Sequence, residues 1–338
     1  MAPQNLSKPD GARLQALAQE ASAHLFRGRA DLARAPIAEL ARTLPGNEGV
    51  RQMQRQAAAV GFSWPAQRAP CTPAKIVPPA SGDLDLVAFH VDLPAAPSGI
   101  HGAIDYMTVL AHSLESARLR APAARRILLT DEATRVPDAI GVDQVLRFPM
   151  DRQQLMFERM RVQALYLGGR ESARASVLMD SDVIVNVDPA EIFAENFDVG
   201  LTWRPEFPDA PFNGGMIFVA PGRAGLEFFK KAHQCYAALA VDPAVTAPFP
   251  RDLHAWWGDQ FAIAALVGYR EFAERSTNAI AIDAIRVRFF PCETHNFTLE
   301  PSRNYRTEEL RQKFFIHFKG NRKALQSQYL AAMRAGKI

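Results

Sequence analysis

Apolar positions in the first sixty residues recur at three- and four-residue steps. Leu14, Leu17, Ala18, Ala21 and Leu25 form one run, which Gly28 breaks. Leu32, Ile37, Leu40, Ala41 and Leu44 form a second, stopped by Pro45-Gly46, and a third extends from about Glu48 to Val60. This spacing gives each of three helices one apolar stripe, with glycine and proline as punctuation. Residues 64–82 (WPAQRAPCTPAKIVPPASG) break the period. Their prolines remove backbone donors and disfavour regular structure, so a linker is expected there. After it the pattern alternates between strands and helices. Leu84–Val91, Arg126–Thr130 and Ser176–Met179 are strand-like, and Ile104–Leu119 and Gln153–Leu167 are helical. Such alternation predicts an α/β domain with a largely parallel sheet and a ligand at the carboxyl ends of its strands. The chain therefore divides into a helical prefix (1–63), a linker (64–82) and an α/β domain (83–338).

Composition narrows the class. A chain of 338 residues has length for roughly two domains at about 150 residues each. With 48% hydrophobic and 22% charged residues, it is neither disordered nor fibrous in type. Lys plus Arg is 39 and Asp plus Glu 36, and the resulting +3 is too small to point to nucleic acid or an acidic membrane. Cys71, Cys235 and Cys292 are an odd count without a CxxC pair, which argues against a zinc site or a disulfide framework. The start MAPQNLSKPDGARLQ has no apolar core of a secretory signal, and no run of about 18 apolar residues occurs. A cytoplasmic protein without a transmembrane segment is expected.

The chemistry concentrates at SVLMDSDVIVNVDP (176–189). An apolar run ends at Asp180-Ser181-Asp182, and a second begins at Val183. If the strand stays extended, both carboxylates point the same way and repel. A divalent cation removes that cost, and hard oxygen ligands favour Mg²⁺ or Mn²⁺, which keep water and phosphate oxygens in their shell. A diphosphate-bearing substrate is the natural guest. Asp180-Ser181-Asp182-Val183 also fits the DxDx[T/V] string of a phosphatase nucleophile. That family, however, carries it on the first strand, and here about a hundred residues of α/β pattern precede it.

The order of motifs over residues 84–323 resembles the GT-A fold glycosyltransferases, particularly the glycogenin-like and lipopolysaccharide galactosyltransferase-like group. Asp180-Ser181-Asp182 is similar to the family's DxD. Asn213-Gly214-Gly215 is similar to its Asn-x-Gly hairpin at the sugar pocket, and Asp259-Gln260 to its Asp-Gln beneath the donor sugar. His317 to Lys323 fits HxxGxxK. The resemblance implies a Rossmann-like nucleotide-sugar fold with His317 as third metal ligand and Gly320 and Lys323 near the diphosphate. It places Arg161 where the family has a basic residue on the helix before the DxD strand. It further implies retention of anomeric configuration and, for the donor, mostly uridine. Ala324 departs from the family's usual proline, and residues 1–80 lie outside the resemblance. The order helix, Gly, helix, Pro-x-Asn, helix in the prefix separately resembles one tetratricopeptide-type unit, without a second copy. It is expected to pack on the main domain; the alternative is a docking surface for a protein partner.

Other residues admit two readings each. His317 follows a strand-like run and suits Mn²⁺ beside carboxylates, or is a core histidine bonded to a backbone carbonyl. Asn213-Gly214-Gly215 reads as a tight turn, and its amide offers both a donor and an acceptor to a sugar hydroxyl. Asp259 reads as a helix N-cap, with Gln260 at the mouth of the sheet. Trp256 and Trp257 suit an acceptor sugar or the core. His90 and Asp92 end the first strand, where the nucleotide base is expected; His101, Tyr106 and Asp131 are further candidates. Asp209 and Asp259 are the candidate bases should the reaction invert. The reading is metal-dependent transfer from a nucleotide-diphospho-sugar, UDP-sugar favoured, to a hydroxyl on a glycan, lipid-linked, protein or small-molecule acceptor. Two alternatives are a sugar-phosphate nucleotidyltransferase and a binding adaptor with a degenerate transferase domain. The first needs a Gly-rich loop that residues 90–102 lack.

Overall fold

The computed structural model describes residues 8–62, 64–93, 104–171, 173–204, 211–246, 258–268, 278–300, 302–303 and 305–338. His101, Asp209, Trp256 and Trp257 lie outside them. The prefix forms α1 (Lys8–Phe26), α2 (Ala30–Thr43) and α3 (Glu48–Gly61). Gly28 and Gly46, at the two breaks, have φ of 68° and 79°, a backbone region open to glycine without a Cβ clash. Ala21, Leu25, Ala33 and Ile37 of these helices belong to the same apolar core as strand residues of the α/β body. The expected packing of prefix on body is what the structure contains.

The body follows in the order β1 (Arg68–Pro70), β2 (Leu84–Phe89), α4 (Tyr106–Arg120), β3 (Arg125–Asp131), β4 (Gln144–Phe148) and α5 (Leu155–Gly169). Next come β5 (Ala175–Asp180), β6 (Val183–Val185), β7 (Val199–Trp203), β8 (Phe212–Val219), α6 (Ala224–Val241), α7 (Pro243–Thr246) and α8 (Gly258–Val267). Last are β9 (Ala279–Ile282), β10 (Ile285–Pro291), α9 (Cys292–His295), α10 (Thr307–Arg311), β11 (Phe315–His317) and α11 (Gln326–Arg334). Among the described residues, nine strands form one sheet in the order β1-β9-β10-β7-β8-β5-β2-β3-β4. The β5-β2-β3-β4 half is wholly parallel, and β8 joins it antiparallel to β5. β2 is buried along its whole length, which is why it reads as an unbroken apolar run.

Two local features position the site. At the amino ends of the parallel strands, the fully buried Asp85 accepts from Arg125 (2.8 and 3.0 Å), Arg174 (2.7 Å) and Tyr166 (2.7 Å). Burial opposes ionisation of Asp85, but these donors outweigh it and hold the carboxyl below its usual range. The second feature is the segment read as a linker, which is tied into the body. β1 pairs antiparallel with β9 at the sheet edge, where Pro70 is tolerated. Arg68 Nε donates to Leu266 O (3.0 Å) and its Nη2 to Ala265 O (3.2 Å), satisfying last-turn carbonyls of α8. Ile76 N donates to Ala194 O (2.9 Å) and Asn196 N to Ala74 O (2.7 Å). None of the described helices is long and apolar enough to cross a membrane.

Candidate active site

The chain leaves β5 at Asp180, turns through Ser181 and Asp182, and enters β6 at Val183. The strand therefore does not stay extended through the acid pair; the turn brings the two carboxylates together. β6 pairs antiparallel with β11 in a register that sets His317 opposite Val183, next to Asp182. Phe318 N donates to Asp182 O (2.9 Å) and closes the junction. One ligand atom each from Asp180, Asp182 and His317 lies within 4.8 Å of the others. His317 Nε2 stands 3.0 Å from Asp182 Oδ1 and 3.7 Å from Asp180 Oδ2.

Two cations flank this triad. Lys323 Nζ lies 2.6 Å from Asp182 Oδ2 and over the Tyr106 ring at 5.7 Å. Arg159 Nη1 lies 2.8 Å from Asp180 Oδ1 and 3.8 Å from Asp259 Oδ2, while Nη2 donates to Gly214 O. Burial opposes ionisation of Asp182, but His317 and Lys323 overcome it and hold the carboxyl well below the usual range. For Asp259 the balance is reversed: burial, aided by Asp180 and resisted by Arg159, pushes its pKa up to about 6. Arg159 is itself buried, yet Asp180, Asp259 and Asp182 raise its pKa against that burial.

The floor of the site is β8. Asn213-Gly214-Gly215 forms no tight turn; it lies within that strand, beside a register shift against β7 between Leu201 and Trp203. The glycines serve close approach. A Cβ on Gly215 would sit 2.5 Å from His317 Cε1, 2.7 Å from Asp180 Oδ2 and 2.8 Å from Asn213 Oδ1, and one on Gly214 would lie 3.0 Å from Asp259 Oδ2. Asn213 Oδ1 accepts from Gly215 N (2.9 Å) and from Asn296 Nδ2 (2.9 Å). With the oxygen engaged twice, Asn213 has only its Nδ2 hydrogens for a substrate, not the donor and acceptor expected from its type. Asp259 and Gln260 open α8, where Asp259 Oδ1 accepts from Gln260 N (2.8 Å) and Gln260 Oε1 takes a 3.4 Å contact from Arg204.

The remaining expected residues are more dispersed. Arg161 is placed away from the acid pair: its Nε donates to Glu158 Oε2 (2.7 Å) and its Nη2 to Pro149 O. Arg159 is the arginine of α5 at the site. It lies on the helix's buried stripe with Leu155, Met156, Met160 and Gln163, and Arg161 falls off that stripe. Gly320 adopts φ 59° at the start of the 3₁₀ turn that carries Lys323, with open space at its Cβ position. His90, just past β2, is buried, and burial lowers its pKa against the opposing pull of Asp92, Asp105 and Asp131. Asp131 is already engaged, accepting from Thr134 N (2.8 Å) and Arg152 Nε (2.6 Å). Asn296 and Thr202 sit behind His317 and belong to no motif in the sequence.

No protein-family model and no curated protein matches the chain. The chain is similar to solved glycosyltransferases. One, a glycosyltransferase involved in glycosylation of the PBCV-1 major capsid, is 16% identical with a TM-score of 0.42, over 73% of this chain and 98% of its own. Another, the galactosyltransferase LgtC in complex with donor and acceptor sugar analogues, is 10% identical with a TM-score of 0.44, over 75% and 95%.

Proposed function

We propose that the chain is a metal-dependent glycosyltransferase that moves a sugar from a nucleotide-diphospho-sugar, with a UDP-sugar favoured, to a hydroxyl acceptor with retention. The observation that carries this reading is the convergence of Asp180, Asp182 and His317 at the carboxyl edge of the parallel strands, flanked by Lys323 and Arg159 over a glycine floor. Two hard oxygens and one imidazole suit Mn²⁺ or Mg²⁺. The lack of a side chain on Gly215 keeps the space between His317 and Asp180 open. A cation bound there would act as a Lewis acid toward the negative charge that develops on a departing diphosphate.

The chain's own groups account for the rest. Lys323 and Arg159 add fixed positive charge beside the acid pair, inside a buried site where electrostatic stabilisation is effective. Asn213, limited to donating, orients a sugar through an acceptor oxygen. Asp259 and Gln260 border the same floor at Gly214. Asp259 is buried beside Gly214 and paired toward Arg159, so it suits positioning. In the base region, Asp131 is held by Thr134 and Arg152, so a guanine would have to be read by Asp92; a smaller uracil beside His90 is favoured.

The test is manganese-dependent hydrolysis or transfer across a panel of nucleotide-sugars, with UDP, GDP, ADP and CDP compared by thermal shift. Asp182→Ala is expected to abolish manganese-dependent UDP binding with the fold intact. Undiminished binding would overturn the metal assignment. A larger stabilisation by GDP than by UDP would overturn the uridine assignment alone.

A further inference from the structure

We propose that Asn296 is a positioning residue that keeps a proton on His317 Nδ1 and so holds the ring with Nε2 turned toward Asp180 and Asp182. The consequence for metal binding rests on the reading of that triad as a metal site. The argument begins from two groups whose hydrogen-bonding polarity is not open to choice.

The first is the backbone N–H of Gly215. It can only donate, and it donates to the Asn213 side chain at 2.9 Å, so the atom it meets is Oδ1 and not Nδ2. The Asn296 atom 2.9 Å from that same oxygen must then be a donor, its Nδ2. The second is the Thr202 hydroxyl. Its neighbours at 3.0 and 3.1 Å are the backbone carbonyls of Asn213 and Met216, which can only accept, so its single proton points at them. Its lone pair is left for Asn296, again at 3.0 Å and again requiring Nδ2. Both hydrogens of the Asn296 amide are thus assigned by independent anchors.

Asn296 Oδ1 is then the atom facing His317 Nδ1 at 2.8 Å. An amide oxygen accepts only, so Nδ1 carries a hydrogen, and Nε2 is the nitrogen left to face the acid pair, 3.0 Å from Asp182 Oδ1. Asn296 and His317 are buried, 1% and 3% exposed, so water is poorly placed to substitute for a lost partner. The backbone holds the pair in place: His317 N donates to Phe297 O (2.7 Å), and Asn296 N donates to Cys292 O (3.0 Å). A backbone amide in β8 therefore dictates, through two side-chain amides, which imidazole nitrogen meets the acid pair. Outer partners of this kind typically set ligand orientation and tune metal affinity.

The test starts from the full chain without metal. Nitrogen-15 NMR of histidine-labelled protein, at a pH where the imidazole is neutral and with His317→Gln to assign the signal, reads which nitrogen is protonated. A proton on Nδ1 is expected; an Nδ1 without one overturns the proposal, and this measurement requires no Asn296 variant to fold. Mn²⁺ binding in the presence of UDP, by calorimetry, then reads the consequence. Asn296→Leu, which lacks the acceptor, is expected to weaken Mn²⁺ about 10–100-fold. Equal Mn²⁺ affinity in Asn296→Leu, with an intact fold by circular dichroism, overturns the positioning role. A parent protein with Nδ1 protonated that binds no Mn²⁺ refutes the metal reading of the triad while the Nδ1 assignment stands.

Discussion

Replacing Asp259 with asparagine is expected to stabilise the metal-free protein in alkali and to leave its stability nearly unchanged in acid. Burial raises the Asp259 pKa from 3.8 to about 6, and the nearby Asp180 carboxylate adds to the shift despite Arg159. The folded protein therefore holds this proton more tightly than the unfolded chain. That preference favours folding fully below pH 3.8 and is lost as the pH climbs through 6, where the buried group must ionise. A gap of roughly two units corresponds to about 3 kcal/mol at pH 8 and under about 1 kcal/mol at pH 4. Asparagine imitates the protonated acid and, through Oδ1, still accepts from Gln260 N. The difference in unfolding free energy between variant and parent should thus grow from near zero at pH 4 to about 3 kcal/mol at pH 8. Urea melts at pH 4, 6 and 8 in EDTA, at matched ionic strength, measure it, and taking the difference cancels the titration of other groups. A difference that does not change with pH, or a variant less stable than the parent at pH 8, would refute the electrostatic reasoning. If Asp259 positions the sugar as proposed, transfer by the same variant should fall.

Other expectations follow from the same geometry. Gly215→Ala should lose Mn²⁺-dependent UDP binding in calorimetry, since its Cβ would collide with His317, Asp180 and Asn213, at a stability cost of about 1–3 kcal/mol. Lys323→Gln should weaken UDP binding while circular dichroism shows the fold retained, because Asp182 loses its 2.6 Å counter-charge. Asp85→Ala should destabilise by about 3–5 kcal/mol in urea by stranding the buried Arg174, yet leave Mn²⁺ affinity unchanged, since it acts at the opposite ends of the strands. Mn²⁺ at about a hundred times its dissociation constant should add about 2.7 kcal/mol of stability, and Asp182→Ala should remove the associated thermal shift.

The parallel half of the sheet is legible in the sequence because strands buried on both faces must be apolar throughout, as Leu84–Phe89 is. The carboxyl edge follows from it, and with it the acid pair. β1 is hidden because only three residues, one of them proline, form it, and an edge strand needs no apolar pattern. Asn213-Gly214-Gly215 carries the composition of a turn, and only the closeness of His317 and Asp180 shows why glycines occupy a strand. Arg159 was within reach of helical periodicity, which places it on the buried stripe and Arg161 off it. Asn296 was not, because its partners are brought together from Thr202, Asn213 and His317, up to 94 residues away in sequence.

The Arg68 contact makes the Pro-rich segment a tether for the helix that carries Asp259 and Gln260. Asp259 and Gln260 open a ten-residue helix whose far end is gripped by a guanidinium from outside the α/β domain proper. A short rigid rod held at one end transmits small tilts to the other. A protease nick or a deletion between residues 64 and 80 would thus be felt first at Asp259 and Gln260. The boundary drawn between prefix and enzyme then runs through a working part, and trimming the chain at Ser81 would remove a hinge pin along with the linker.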